Sequence, residues 1–427
     1  MIDIKLIREN PEFVRAGMKK RGMDPSPVDE LIQLDIDRRS FLNEAEKLKA
    51  ERNMVSKEIG NMKEAGERQE KIDQMRVVGE KIKDLDAKTA DVEEKFTAII
   101  SIIPNVPDEK VPEGFNEDDN IEVGRWGEMP EFEYEPKAHW DLGPELGIID
   151  FERGVKLAGS RFYVLSGAGA RLQRALISFF LDLHTKQGYV EKYGPFIVKG
   201  EILFGAGQLP KFAGNLYKDH EEDFYLLPTS EVSMTGLHMN EIIDEENLPL
   251  SYTAYSPCFR REKMSAGRDV RGIKRGHQFD KVEMYKYCLP ENSDQEFENM
   301  ITDAEETCKL LNIPYRVILK CAGDTSETAM ISYDLEAWSA GCQEWLEISS
   351  ISNVGDFQSR RGKIRYKPAD GGNPRALHTL NGSGLALPRV MIAIIENNQN
   401  SDGSVNIPDV LQPWMGGMKI IEKETLC

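Results

Sequence analysis

A charged, glycine-poor block from about residue 27 to residue 100 constrains the fold more than any other feature. Apolar residues recur there every seven positions, in two sets separated by the polar segment 63–68. A seven-residue repeat gives a helix one narrow apolar seam, which a second helix buries better than a globular core does. The block therefore predicts two long helices folded back on each other as an antiparallel coiled coil. The seam residues are Leu34, Phe41, Leu48, Val55 and Met62, then Met75, Val78, Ile82, Leu85, Val92, Phe96 and Ile99.

The role of this arm stays open on its pattern alone, which suits a dimerisation stalk, a spacer or an RNA-contacting arm. Residues 38–57 hold six basic residues and three acidic ones, within a chain whose formal net charge is −19. A charge run is usually just a solvated helix face, so this excess is weak evidence for RNA. The candidate RNA-contacting residues are Arg38, Arg39, Lys47, Lys49, Arg52 and Lys57.

Composition excludes several classes of protein. The net charge of −19 works against general nucleic-acid binding, so such affinity would depend on local basic stripes and on salt. The chain has no apolar run of about 18 residues, and residues 1–10 lack the apolar core of a signal peptide. The six cysteines show no short paired spacing, as expected of thiols in a reducing cytosol. These features predict a cytoplasmic protein without a membrane span.

The proline-rich segment 103–114 cannot continue a helix, and glycine and aromatic residues become more frequent after about residue 120. We predict an N-terminal domain at 1–103, a linker at 104–120 and a larger domain at 121–427. Strands arrive in runs in the larger domain, which favours an α+β fold with a largely antiparallel sheet and flanking helices. The predicted strands are 224–227, 252–255, 281–287 and 315–319, and the predicted helices are 170–187, 293–311 and 385–398.

One segment concentrates the residues that could carry chemistry. Five arginines lie between positions 260 and 275, among small residues that form turns. Arginine forks match phosphate and carboxylate oxygens, so a strand–loop–strand of this content could clamp a polyanion. In the strand that follows, Phe279, Lys281 and Glu283 share a face, where they could stack a flat base and hold an ammonium group. A surface hairpin rich in salt bridges is the alternative.

The order Phe259-Arg-Arg-Glu262, a loop, then His277-Gln-Phe279-Asp-Lys-Val-Glu283 resembles motif 2 of class II aminoacyl-tRNA synthetases in its seryl form. Further segments resemble that family in the same order, and so do the coiled coil and the connector, so the resemblance covers essentially the whole chain. They are GYVEKYGP at 188–195 (motif 1), LPTSEV at 227–232, EISSISN at 347–353, DFQSRR at 356–361 and HTLNGSGLALPR at 378–389 (motif 3).

The resemblance implies a serine–tRNA ligase that makes seryl-adenylate from L-serine and ATP. The seryl group then passes to the 3′ end of serine tRNA, and selenocysteine tRNA is a second acceptor left open. It also implies a homodimer, with Pro195 at the interface, and Mg²⁺ held by Glu347 and Ser350. The alternatives are a paralogue that loads a non-tRNA acceptor and a non-catalytic binding relative.

The same resemblance implies roles for individual residues. Arg260 contacts the α-phosphate of ATP and the serine carboxylate, Glu262 orients the adenine, and Phe279 and Arg389 cover its two faces. The implied serine pocket comprises Thr229, Glu231, Arg260, Glu283 and Ser383. The implied ATP site comprises Arg260, Arg261, Glu262, Gly276, Phe279, Glu347, Ile348, Ser349, Ser350 and Arg389.

Some of these residues have simpler interpretations. Phe279 could belong to the core, Ser350 could be a sheet hydroxyl, and Ser383 could serve the Gly382–Gly384 turn. His277 is expected to make structural hydrogen bonds. The chain also departs from the family pattern at Lys263 and Met264 in the motif 2 loop, at Gly276 and at Gly194.

Overall fold

The computed structural model describes residues 1–263 and 271–423. The chain forms two compact units, residues 2–104 and residues 105–427 together with Met1. Among the helices in these described ranges, none combines the length and the apolar character needed to cross a membrane.

The N-terminal unit consists of four helices: α1 (Ile4–Glu9), α2 (Pro11–Lys20), α3 (Pro27–Asn61) and α4 (Ala65–Ile100). Ion pairs join Lys49 to Asp86 at 2.8 Å and Glu58 to Lys71 at 2.6 Å, so later residues of α3 lie beside earlier residues of α4. The seam residues of both helices are buried or half-buried, and Thr89 fills the one heptad position without an apolar residue. The predicted antiparallel coiled coil is confirmed. With 35 residues, α3 is roughly 52 Å long at about 1.5 Å per residue.

The turn of the arm is shorter than predicted. Only residues 62–64 join α3 to α4, whereas the sequence predicted a turn over 63–68. Ala65 favours a helix, and Glu67 lies in its first turn, where an acidic side chain complements the helix dipole. Gly66 is tolerated there because packing along the seam, rather than intrinsic propensity, stabilises most of a long helix.

The larger unit is built on an eight-stranded sheet in the order β1-β10-β11-β12-β15-β9-β8-β4, antiparallel except for the β4–β8 pair. Its strands are β1 (Ile121–Trp126), β2 (Ile149–Asp150), β3 (Val164–Leu165), β4 (Val190–Glu191), β5 (Ile197–Lys199), β6 (Phe224–Leu226), β7 (Ile242–Asp244), β8 (Leu250–Phe259), β9 (Gln278–Cys288), β10 (Tyr315–Leu319), β11 (Ile331–Ser339), β12 (Glu344–Gly355), β13 (Arg365–Lys367), β14 (Arg375–Ala376), β15 (His378–Ala386), β16 (Val405–Asn406) and β17 (Ile420–Ile421). The four predicted strands and the predicted α+β class are confirmed.

Helices cover one face of this sheet and form the main core with it. Val282 and Met284 of β9, together with Ile351 of β12, belong to that core. The helices of this unit are α5 (His139–Glu145), α6 (Phe151–Ala158), α7 (Gly167–Lys186), α8 (Gly200–Gly205), α9 (Ser230–Gly236), α10 (Ser293–Leu310), α11 (Phe357–Gly362) and α12 (Leu387–Asn397). The three predicted helices correspond to α7, α10 and α12. On the opposite face of the central strands, polar side chains lie beside a second apolar cluster that includes Tyr252, Tyr285 and Tyr287.

Candidate active site

A cavity of about 310 Å³ opens on the polar face of the central strands. Strand pairing explains which side chains reach it. Ser383 of β15 is the register partner of Glu283 in β9, and Ser352 of β12 is the partner of Asn381 in β15. Side chains at i and i+2 share a face of a strand, so alternate residues of three neighbouring strands converge. The residues that line the cavity include Thr229, Glu231, Arg260, Glu262, Gly276, Phe279, Lys281, Glu283, Glu347, Ser350, Asn381, Ser383 and Arg389.

A β-bulge brings the two predicted metal ligands to the same face. Ser349 pairs with Leu335 and Glu347 pairs with Glu336, so Ile348 is an extra residue between two consecutive positions of β11. Without the extra residue, Glu347 and Ser350 would point to opposite faces; the bulge re-aims Glu347 into the cavity. Ile348 is fully buried in the core, and the buried Ser349 hydroxyl donates to the Ser383 carbonyl at 2.6 Å.

Glu347 is surrounded by positive charge. Arg389 donates to the Glu347 carbonyl at 2.7 Å, and its guanidinium lies 3.7 Å from the carboxylate. Burial raises the pKa of Glu347, but Arg389, Lys320 and Arg260 together outweigh burial and hold that pKa below its ordinary range. The Glu347 side chain is 44 % exposed because it borders the cavity. It is therefore an ionised, accessible carboxylate.

A second acid lies behind this pair. Asp334 is the register partner of Ser350 and forms a 3.0 Å ion pair with Lys320. Burial and the nearby charge of Glu347 raise the pKa of Asp334 to about 7. One of its carboxylate oxygens, Oδ1, is buried and accepts no hydrogen bond from the described residues. The donor set around Ser350 is thus rich in hard oxygen atoms.

The acidic part of the cavity is a buried network on β9 and the start of α9. The Lys281 ammonium contacts the Glu283 carboxylate and donates to the Thr229 hydroxyl at 2.8 Å. The Thr229 hydroxyl donates in turn to Glu283 at 3.0 Å. A buried ion pair of this kind needs further hydrogen bonds to offset its lost hydration, and Thr229 supplies one.

Glu231 completes this acidic part. It accepts hydrogen bonds from Gln358 at 2.7 Å and from Asn381 at 3.3 Å. Burial and the neighbouring charge of Glu283 raise the pKa of Glu231 from its ordinary 4.5 to about 7, against the opposing effect of Lys281. Glu231 therefore changes charge near neutral pH.

Arg260 lines the same cavity as Glu231 and Glu347, and its positive charge acts on both carboxylates. Its backbone is fixed by two bonds with His277: the Arg260 N–H donates to the His277 carbonyl, and His277 Nδ1 lies 2.9 Å from the Arg260 carbonyl. This is the structural hydrogen-bonding role expected for His277. The Arg260 guanidinium lies 5.2 Å from the centre of the Phe279 ring.

Glu262 shows backbone strain at the site. Its φ of +50° lies in the left-handed region, which non-glycine residues rarely adopt. The buried side chain accepts a 3.2 Å hydrogen bond from Arg275. Strained residues persist where surrounding contacts hold them, and they concentrate at binding sites.

Three residues of the predicted ATP set do not line the cavity. The Arg261 guanidinium lies 5.7 Å from the centre of the half-buried Tyr217 ring. Ser349 points away from the cavity by the alternation of β12, and Ile348 points away because of the bulge. Conversely, Lys281 and Asn381 line the cavity although no role was predicted for them, and so does Arg275, which was predicted only as one of the five arginines of the possible clamp. Lys281 could have been identified from the sequence, because it shares a face of β9 with Phe279 and Glu283.

The other predicted residues lie elsewhere. In the arm, Arg38 and Arg39 lie within 3.6 Å and 3.0 Å of the buried Asp35 carboxylate. Lys47 and Lys57 are exposed and Arg52 is half-buried. Pro195 is exposed between β4 and β5.

The structure shows the surroundings of Gly276 and Lys263, two of the residues that depart from the family pattern. Gly276 fits closely, since a Cβ there would lie 3.0 Å from the Gln278 carbonyl. Lys263 is exposed, and its N–H donates to Asn215 at 3.2 Å. Met264 lies outside the described residues.

Comparisons with known proteins agree with this geometry. Residues 1–107 match the family described as the seryl-tRNA synthetase N-terminal domain, and residues 212–398 match the tRNA synthetase class II core domain of the G, H, P, S and T enzymes. A serine–tRNA ligase from Roseiflexus sp. (strain RS-1) is 56 % identical over 423 residues, which cover 99 % of this chain and 100 % of that protein.

Solved structures agree as well. The seryl-tRNA synthetase from Pyrococcus horikoshii, complexed with ATP, has a TM-score of 0.93 at 38 % identity, over 99 % of this chain and 100 % of that one. The cytoplasmic serine–tRNA ligase from Naegleria fowleri, in complex with AMP, has a TM-score of 0.87 at 33 % identity, over 100 % and 99 %.

Proposed function

The chain belongs to the seryl-tRNA synthetase family, and from that membership we propose that its cavity joins L-serine to ATP. The product is seryl-adenylate, with pyrophosphate released, and the seryl group then passes to the 3′ end of serine tRNA. The observation that carries the proposal is that Arg260 lines one cavity together with Glu231 and Glu347, and its charge acts on both carboxylates. A single arginine can thus serve the amino acid and the nucleotide.

The first step needs positioning and charge neutralisation more than proton transfer. The serine carboxylate is already ionised at neutral pH, so no general base is required for its attack on the α-phosphate. Attack adds negative charge around phosphorus, and fixed positive groups in a partly enclosed site stabilise it. Arg260 is proposed to bridge the serine carboxylate and the α-phosphate, and thereby to hold the reacting atoms together.

The remaining cavity residues are proposed to hold the nucleotide. Phe279 supplies an aromatic face for adenine, and Arg389 covers the opposite face and reaches the γ-phosphate. Glu262 accepts from the adenine amino group, with Arg275 keeping its carboxylate in place at 3.2 Å. Arg261, Gly276, Ile348 and Ser349 remain predicted members of the site, and any contact that Ile348 or Ser349 makes would use backbone atoms.

The acidic part is proposed to bind serine. Glu231 and Glu283 attract the ammonium group, while Thr229 and Ser383 offer hydroxyl groups near the serine side chain. Lys281 lies against Glu283 and removes part of its charge, so that the pocket is not doubly anionic. A buried network of this kind rejects alanine, because groups arranged to meet a hydroxyl would be left unpaired.

The residues on β12 suit Mg²⁺. Glu347 and Ser350 share the cavity face and offer a carboxylate and a hydroxyl, the hard oxygen ligands that this ion prefers. Asp334, the register partner of Ser350 on β11, places a further carboxyl group near these two ligands. When bound, the ion would neutralise phosphate charge.

The arm, the dimer and the cellular location remain proposals. Lys47, Arg52 and Lys57, with Arg38, Arg39 and Lys49, are proposed to contact the long variable part of the tRNA. A homodimer is proposed with Pro195 at its interface, and a cytoplasmic location is proposed from the similarity to the cytoplasmic serine–tRNA ligase of Naegleria fowleri. The proposed domain limits are 1–103, 104–120 and 121–427.

Serine-dependent exchange between ATP and pyrophosphate, followed by charging of purified serine tRNA, tests the proposal. We expect both activities, with serine preferred over alanine and threonine. Exchange without charging would favour the paralogue that loads another acceptor, and absence of exchange would favour a binding protein. Charging of selenocysteine tRNA is measured in the same assay.

A further inference from the structure

A buried carboxylate at the end of α12 joins two segments that are distant in sequence, one at His139 and the other at residues 339–342. Glu396 is fully buried and accepts the backbone N–H groups of His139 at 2.8 Å, Gly341 at 2.9 Å and Cys342 at 3.0 Å. It also contacts the Ser339 hydroxyl and accepts from His139 Nδ1 at 2.7 Å. Burial raises the pKa of Glu396, but these donors, led by His139, hold it below its ordinary range.

This cluster is not suited to a metal ion, although ligand atoms of His139, Cys342 and Glu396 lie within 4.8 Å of one another. Both carboxylate oxygens already accept several hydrogen bonds, and both ring nitrogens of His139 have partners. The donors and acceptors are satisfied without an ion.

The hydrogen bonds assign the tautomer of His139. Nδ1 faces a carboxylate that carries no hydrogen, so Nδ1 must donate. Nε2 is then an acceptor, and it receives the Ile273 N–H at 3.1 Å. His139 therefore links the Glu396 carboxylate to one backbone amide in the segment after the motif 2 loop.

That segment, residues 271–276, reaches the cavity. Ile273, Lys274, Arg275 and Gly276 all line it. The segment passes so close to the His139 ring that a Cβ at Gly272, which has a φ of +76°, would lie 2.0 Å from Nε2. Only glycine fits there, so ring and segment are matched to each other.

The residues that follow His139 hold the same segment. The Trp140 ring lies 4.7 Å from the Arg271 guanidinium and 5.1 Å from the Lys274 ammonium, both within cation–π distance. Asp141 pairs with Arg271 at 3.3 Å. The first turn of α5 thus contacts residues 271, 273 and 274.

We propose that His139 is a positioning residue for ATP, which acts by fixing the backbone of residues 271–276 against the cavity. The inference rests on the proposed function, because it assigns this cavity to the nucleotide. It requires ATP binding to depend on the Nε2 acceptor and serine binding to be nearly independent of it. The proposed serine pocket consists of Arg260 and residues of β9, β15 and the start of α9, all of them outside this segment.

Two substitutions that introduce a side-chain amide test the roles of the two ring nitrogens separately. In His139→Asn the side-chain amide can replace Nδ1 and keep the bond to Glu396, but nothing replaces Nε2. In His139→Gln the side-chain oxygen can reach the Nε2 position and accept from Ile273. KM values for ATP and for serine are measured by pyrophosphate exchange, and ATP affinity is measured separately from the ATP-induced shift in melting temperature.

We expect His139→Asn to raise the KM for ATP about tenfold, the scale of one lost buried hydrogen bond, with the KM for serine within about twofold of the parent. His139→Gln should recover most of the ATP affinity. An unchanged KM for ATP in His139→Asn would overturn the proposal, and so would equal losses for ATP and serine in both variants.

If His139→Asn does not fold, Trp140→Leu provides the second test, with Trp140→Phe as its ring-preserving control. The leucine variant should bind ATP more weakly without a change in the KM for serine. Equal ATP affinity in the two variants would overturn the proposal. A parent protein that binds ATP but shows no serine-dependent exchange would instead contradict the proposed function, because the thermal shift reports ATP binding without catalysis.

Discussion

Arg260 is proposed to connect the amino-acid and nucleotide parts of the cavity, so its removal is the most demanding test at the scale of one residue. Arg260→Ala should reduce serine-dependent exchange by about 100- to 1,000-fold or more, the loss seen when one preorganised charge-stabilising group is removed. Arg261→Ala should lose much less, since its side chain lies over Tyr217 outside the cavity. Equal losses, with unchanged melting temperatures, would contradict the role of Arg260.

Glu231 predicts a pH dependence of serine binding. Its pKa of about 7 means that it gains a proton as pH falls from 8 to 6. The pocket then loses a negative charge that attracts the serine ammonium, so the KM for serine should rise roughly tenfold over that range if the ionised form binds. Exchange kinetics at several pH values measure this. Glu231→Gln should bind serine more weakly than the parent, with a KM for serine that changes less with pH. A parent profile as flat as that of the variant would contradict the prediction.

The same residue predicts a gain in stability when its charge is removed. The folded pKa of Glu231 lies above its ordinary 4.5, so ionisation opposes folding and stability is lost as pH rises through about 7. Glu231→Gln should therefore melt at a higher temperature than the parent at pH 8. The difference should shrink as pH falls toward 4.5. Thermal melts across this range are the measurement, and a lower melting temperature for the variant at pH 8 would disagree.

Which side chains of β9 share one face could be predicted from the sequence, because neighbouring residues alternate between the two faces of a strand. The link from Glu396 to His139 to Ile273 could not be predicted, since it joins positions separated by 257 and 134 residues. The same applies to the Lys320–Asp334 pair behind Ser350. Such contacts depend on how distant segments pack, and no local pattern encodes them.

At the scale of elements, the coiled coil was predictable and the bulge in β12 was not. The heptad repeat extends over many turns and specifies both helices, but the length of the turn between them depends on a few weak local preferences. The bulge at Ile348 depends on the register between two strands. Its effect is to reverse the simple alternation, so that Glu347 and Ser350 face the cavity together while Ile348 enters the core.

The arm predicts a specific effect on tRNA. Lys47 and Lys57 are exposed on α3, so Lys47→Glu combined with Lys57→Glu should raise the KM for serine tRNA about tenfold or more at moderate salt, since phosphate contacts dominate such affinity. Pyrophosphate exchange should be unchanged. Lys81→Glu with Lys83→Glu on α4 makes the same charge change and serves as the control. If both pairs weaken charging equally, the effect reflects overall charge and not contact by α3.

At the scale of the whole molecule, the division into two units predicts that the two reactions can be separated. Deleting residues 30–100, with a short glycine–serine bridge in their place, should leave exchange within a few-fold of the parent, because every cavity residue belongs to the larger unit. Charging of serine tRNA should fall to background. Normal charging by this variant would show that the arm is a spacer or stalk. If the arm contacts tRNA through lysine and arginine, charging should weaken as the salt concentration rises, since contacts to phosphate release counterions.

A crystal structure with a non-hydrolysable seryl-adenylate analogue tests most directly whether one cavity holds both substrates. The adenine should lie against Phe279, the linker that replaces the phosphate should contact Arg260, and the serine ammonium should lie beside Glu231 and Glu283. An analogue bound elsewhere, or bound in the cavity with its seryl end away from β9, would contradict the assignment of this site.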